Sequence, residues 1–119
     1  MARAGKHFFK ADAGAAKFAV STVPADVYLI EVSNVNVDHV YLQLFDAASA
    51  DVTVGTTPPT LSLFVPPGVG ATDGAAADKV FTVPIHFSTA ITAAVTTQSN
   101  NNGAPASSSI VNVSMQPLA

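Results

Sequence analysis

The sequence predicts an all-β protein: a two-sheet antiparallel β-sandwich, for which a jelly roll is one candidate topology, preceded by an extended N-terminal arm. Three observations lead there. From Phe18 onward apolar and polar residues alternate with a period of two, the spacing at which alternate side chains of a strand share one face of a sheet. Val, Ile and Thr together account for 31 of the 119 residues, and their branched side chains suit a pleated sheet better than a helix. Clusters of Pro, Gly, Asp and Asn then cut the alternating runs into short pieces.

Taken in order, residues 1–16 carry no sustained period that would bury a face and are expected to be a basic arm ordered by a partner. Residues 17–119 form the sandwich domain, with strands expected at 18–23, 27–35, 40–46, 52–55, 60–65, 79–87, 91–97 and 109–115. Val40, Leu42 and Leu44 should line one face of their strand, and Tyr41, Gln43 and Phe45 the other. Pro84 has no amide hydrogen to donate, so its strand should lie at a sheet edge or bulge there. Residues 66–78 and 98–108 are expected as long loops, the second with the Asn, Ser, Gly and Ala composition of a flexible linker.

Composition narrows the chemistry. Charged residues make up 11% of the chain, against about 25% in an average globular protein, so neighbours or uncharged polar groups must cover much of the surface. The charge is also unevenly placed. Before residue 18, four cations stand against one acid, a net +3; after it Lys79 stands against seven acids, a net −6. Cysteine is absent, which excludes disulfides, thiolate metal sites and a cysteine nucleophile. The first ten residues lack the apolar stretch of a secretory signal and no run of about 18 apolar residues occurs, so no membrane span is expected and the chain is read as made in the cytoplasm.

Few residues suggest a reaction. His7, His39 and His86 have no metal-pair spacing and read as an arm, a turn and a strand residue. Asp26, Asp38, Asp46, Asp51, Asp73 and Asp78 lie at turns or strand ends, where Asp bonds to nearby backbone. Glu31 sits inside an apolar run; nothing in its spacing to Asp46 or Asp51 supports a paired-carboxylate glycosidase. No nucleophile elbow, phosphate-binding loop or dinucleotide fingerprint occurs, and neither a cofactor nor a metal site is expected. The candidate partner-binding residues are those of the arm, Arg3, Lys6, His7, Phe8, Phe9 and Lys10, which combine charge with two aromatic anchors. Four cations are few for nucleic acid, and an acidic or apolar protein groove is favoured over it.

One resemblance adds to this. The pieces Tyr41-Leu42-Gln43-Leu44-Phe45-Asp46, Val54-Gly55-Thr56-Thr57-Pro58, Val65-Pro66-Pro67-Gly68, Phe87-Ser88-Thr89-Ala90-Ile91 and Val95-Thr96, in that order, resemble small β-rich virion structural proteins of tailed bacteriophages. The likeness spans residues 26–97 and departs at Ala90, where the group usually has Gly. It implies a non-enzymatic capsid decoration or cement protein on the virion surface. Its implied partners are the major capsid protein and further copies of itself, with a trimer as the first expectation. A tail- or fibre-associated protein, or a receptor- or carbohydrate-binding module using loops 70–77 and 100–108, is the alternative. The absence of Trp, and the placement of Tyr28 and Tyr41 inside strands, counts against sugar binding.

Overall fold

The computed structural model describes residues 5–68 and 75–118. Eight strands follow one another: β1 (Lys6–Ala13), β2 (Phe18–Ser21), β3 (Ala25–Asn34), β4 (Val40–Phe45), β5 (Leu61–Val65), β6 (Ala75–Phe87), β7 (Ile91–Thr96) and β8 (Ser109–Pro117), with one 3-10 turn at Ser49–Asp51. They form two four-stranded sheets, sheet A in the order β1-β8-β3-β6 and sheet B in the order β2-β7-β4-β5. Every pairing is antiparallel. The first strand pairs with the eighth, the second with the seventh, the third with the sixth and the fourth with the fifth, and these nested pairs alternate between the sheets. That arrangement is a jelly roll, so the expected sandwich takes this topology.

The alternation seen in the sequence builds the core. Val27, Ile30 and Val32 of β3 and Val111, Val113 and Met115 of β8 face Leu42 and Leu44 of β4 and Ile91, Ala93 and Val95 of β7, each at 1% exposure or less. Fully burying side chains of this size stabilises by about 1.5–3 kcal/mol apiece. Between Val27 and Ile30 the period slips. Register shifts there against both β8 and β6, and Tyr28 and Leu29 both fall on the outer side. On β6 the same irregularity spans Phe81, Thr82, Val83 and Pro84, between the residue pairs Leu29–Val80 and Val27–Ile85. Pro84 therefore sits where expected, on an edge strand and within its bulge, where no ladder bond is lost.

Three expectations need correction. Over Lys6–Ala13 the supposed arm is instead an edge strand of sheet A, paired with β8 from Lys6–Met115 to Ala13–Ser109. Its inward positions Lys6, Phe8 and Lys10 hide the apolar period. At a sheet edge the lysine stems can lie along apolar surface with the ammonium in water. Residues 52–55 are a turn and not a strand, with Val52 buried and Gly55 at φ +93°, a conformation side chains disfavour. Finally, β6 begins at Ala75, inside the expected 66–78 loop, because β3 is long enough to template it as far as Asn34. Residues 69–74 lie outside the described set.

Sheet B is roofed on its outside. Phe45, Val52 and Ala94 are buried yet lie outside the inter-sheet core, as do Gln43, Thr92 and Thr96. The segment between β4 and β5 is fastened there by Lys17, whose ammonium donates to the carbonyls of Ser49 (2.5 Å) and Val52 (2.7 Å), and by the Thr92 hydroxyl, which donates to Ala47 O (2.8 Å). The β7–β8 segment, a long loop with the composition of a flexible linker, is tied down by Gln43, whose Nε2 reaches the carbonyls of Gln98 (3.1 Å) and Asn101 (3.0 Å). The two loops meet where a Cβ on Gly55 would lie 3.2 Å from Asn102.

A variant lacking residues 1–13 tests the reassignment of the arm. It strips one of the two partners of β8 and the ring stacked on Phe18, so urea unfolding should show a loss of at least about 3 kcal/mol and a tendency to aggregate through the bared edge. A detached arm would instead leave stability within about 0.5 kcal/mol.

Candidate functional site

β1 divides the residues singled out in the sequence between two faces. Phe8 turns inward, stacks on Phe18 with ring centroids 5.9 Å apart and planes 5° from parallel, and packs against the core. Lys10 lies 5.7 Å over the same Phe18 ring and 3.0 Å from Asp12, and its hydrogen bond holds the Asp12 carboxyl below the usual carboxylate range. Phe9 and His7 point outward. Phe9 is 58% exposed, and His7 is satisfied by donating from Nε2 to Asn112 Oδ1 (2.9 Å) while Nδ1 sits 3.2 Å from the Ser114 hydroxyl. Lys6 is exposed, and Arg3 lies outside the described residues. Of the two aromatic residues expected as anchors, only Phe9 is left exposed, because Phe8 packs against the core.

The outer face of sheet A reads in cross-strand rows. Phe9, Asn112, Glu31 and Asp78 form one; His7, Ser114, Leu29 and Val80 form the next. With Tyr28 and Ile110 also exposed, this face presents apolar side chains separated by small polar ones. Glu31 is here, whereas Asp46 ends a strand of sheet B, so the two carboxylates are not brought together.

Asp46 has another task. Its Oδ2 accepts from the Ser88 amide and hydroxyl, both at 3.0 Å, and its Oδ1 from the Thr89 amide at 2.9 Å. Partial burial pushes its carboxyl up, but these bonds and one from the Ala90 amide outweigh it and hold the group below its ordinary value. Two pieces of the ordered motif, the strand ending in Asp46 and the turn from Phe87 to Ile91, therefore meet in space. Ala90 is 2% exposed and, like every described residue but Gly55, has negative φ, so glycine is not required there.

A second locus lies at the loop end of the sandwich. Asn34 and Asn36 act as a knot: Asn34 Nδ2 donates to Asp38 O (2.9 Å) and Pro66 O (3.0 Å), and Asn36 Nδ2 to Asn34 Oδ1 (2.8 Å) and Ser107 O (3.0 Å). The Ser107 amide returns a bond to Asn36 Oδ1 at 2.7 Å, and the Gly68 amide one to Asn36 O at 2.7 Å. Three loops are so held around a cleft of about 250 Å³, lined by Asn36 to Val40, Thr97 and Ala104 to Ala106. His39 forms one rim and packs on Tyr41 (5.5 Å, near perpendicular) and Phe64 (5.3 Å), which are themselves a cross-strand pair. Sequence reading missed this group because its signal is the register that sets Tyr41 opposite Phe64.

Among the described residues no three His, Asp or Glu side chains gather as a metal site, and no helix is long and apolar enough to cross a membrane. The third histidine, His86, sits across the ladder from Asp26, with Nδ1 2.7 Å from Oδ1. No family model matches the chain, nor does any curated protein or solved structure.

The Asp46 clamp has a pH signature. Because the folded-state pKa is lowered, its stabilisation is complete above the unfolded value near 3.9 and is lost as pH falls through the lower folded value. At pH 7, Asp46→Asn should cost about 1–3 kcal/mol in urea unfolding, and its difference from the parent chain should shrink toward zero in strong acid.

Proposed function

We propose that this chain is a non-enzymatic decoration, or cement, protein of a tailed-bacteriophage capsid, binding the outer shell and stabilising contacts between major capsid subunits. The observation that carries the reading is the asymmetry of the sandwich. Loops roof the outer face of sheet B over β4 and β7, leaving Phe64 exposed on its edge strand β5, while the outer face of sheet A stays open with Phe9, Tyr28, Val80 and Ile110 exposed on a chain of only 11% charged residues. Large exposed apolar surface on a small soluble domain is characteristic of interaction faces. Jelly rolls serve virion shells but also unrelated roles, so topology alone does not assign one. The ordered motif likeness over residues 26–97 is what directs the reading to a virion.

On this reading the open face of sheet A meets the shell, with Phe9 as the central anchor and His7 and Lys6 beside it. Apolar burial there contributes about 25 cal/mol per Å². Self-association, with a trimer as the first expectation, would multiply weak contacts into firm attachment.

The test uses particles lacking this chain, to which the purified protein is added back. Bound copies per particle are counted against the major shell protein. The expected result is hundreds of copies and a rise in the temperature at which the shells release their contents. Phe9→Asp should leave the melting temperature of the free chain within a few degrees and weaken shell binding by at least about tenfold, as loss of a hot-spot side chain does. Binding of a few copies only, or shell binding indifferent to Phe9→Asp, would overturn the proposal.

A further inference from the structure

The cleft at the loop end has the make-up of a small-ligand site, and none of its lining residues belongs to the open face of sheet A. Its walls are apolar where Val37, Val40 and Pro105 line it. Its shape is set in advance, because the Asn36 side chain spends both amide hydrogens on Asn34 and Ser107 and accepts from the Ser107 amide. Three other polar residues line the cleft and make no side-chain hydrogen bond among the described residues: Asp38, which lends only its backbone carbonyl to Asn34, His39, and Thr97, whose hydroxyl lies against Gly103. A preformed, mainly apolar recess lined by a few polar residues is a common form of ligand pocket.

The groups present select the ligand. No Lys or Arg lines the cleft, and the free Asp38 carboxylate repels phosphates and carboxylates. No third metal-ligating side chain stands near Asp38 and His39 among the described residues. The volume of about 250 Å³ falls just below the roughly 300–1,000 Å³ of pockets for drug-sized molecules, which limits the occupant to one small ring. A saccharide ring suits these constraints, since it offers an apolar C–H face to Val37 and Pro105 and vicinal hydroxyls that donate to a carboxylate. The His39 ring, steadied by Tyr41 and Phe64, adds a flat rim for it to rest on.

We propose that the cleft between the β3–β4 and β7–β8 loops binds a neutral sugar ring, with Asp38 accepting from its hydroxyls and His39 flanking it. This goes beyond attachment to a shell and does not depend on it. The test is an amide-resolved NMR titration of the full chain with methyl glycosides of glucose, galactose, mannose and N-acetylglucosamine. Saturable shifts at residues 36–40, 97 and 104–106 are expected with at least one of them, at millimolar affinity. Asp38→Ala, whose side chain holds nothing else in place, should keep the melting temperature and weaken that binding at least about tenfold, as loss of a charged hydrogen-bond partner does. It should also bind shells like the parent chain, so failure here is separable from failure of the cement reading. Three results would each overturn the proposal: no saturable shift with any glycoside, binding unchanged in Asp38→Ala, or shifts at these residues with lysine methyl ester alone.

Discussion

Strand β7 has no wet side, and much of the molecule follows from that. All six of its residues are buried, three against the inter-sheet core and three against the loops outside. Ala93 and Ala94 keep the strand thin enough to be covered on both faces, and Thr92 and Thr96 supply hydroxyls that bond to the cover. A central strand buried on both faces normally belongs to a parallel sheet with helices on each side. Here, in an antiparallel sheet, irregular backbone does the covering. Irregular backbone carries many polar groups, so it must be bonded at every step.

That requirement explains the amides at the loop end. Gln43 sits on the covered face of β4, and one side chain reaches Thr96 Oγ1 and two loop carbonyls. Asn34 and Asn36 do the same for the neighbouring loops. These bonds are made away from water, where a lost partner costs more than the bond itself contributes. The arrangement carries a cost too, since Gln43 Oε1 and Ser109 Oγ are buried without a partner. Holding the loops in place leaves a defined recess between them, and covering most of one outer face of the sandwich leaves the other as the broader exposed sheet surface.

How far the sequence discloses all this depends on which physical signal each element carries. Seven strands were legible because one face of each is apolar at period two. β1 was not, because two of its three inward positions before the bulge are lysines that escape at the sheet edge, and the third, Phe8, looked like half of an exposed aromatic pair. Residues 52–55 misled for the opposite reason: Val52 and Val54 mimic alternation, but Val52 is buried by the roof rather than by a ladder. The 98–108 segment has the composition of a linker, and only the distant Gln43 and Asn36 reveal that it is tethered. At the candidate sites, Phe9 was legible as an exposed aromatic side chain. The rim of Tyr41, His39 and Phe64 was not, since it is made by pairing β4 with β5 in one register.

The pairing of β1 with β8 bears on how the chain reaches this state during synthesis. Among the described strands, β1 is made well before its ladder partner in residues 109–117, and β3 sits between β8 and β6. Sheet A therefore cannot close until β8 has emerged, while β4 and β5 can pair early as a local unit. Long-range pairing of this kind folds slowly and leaves strand edges bare in the meantime. Lysines at positions 6 and 10 of the waiting strand then have a second use: they discourage nascent copies from pairing with one another before their own last strand arrives.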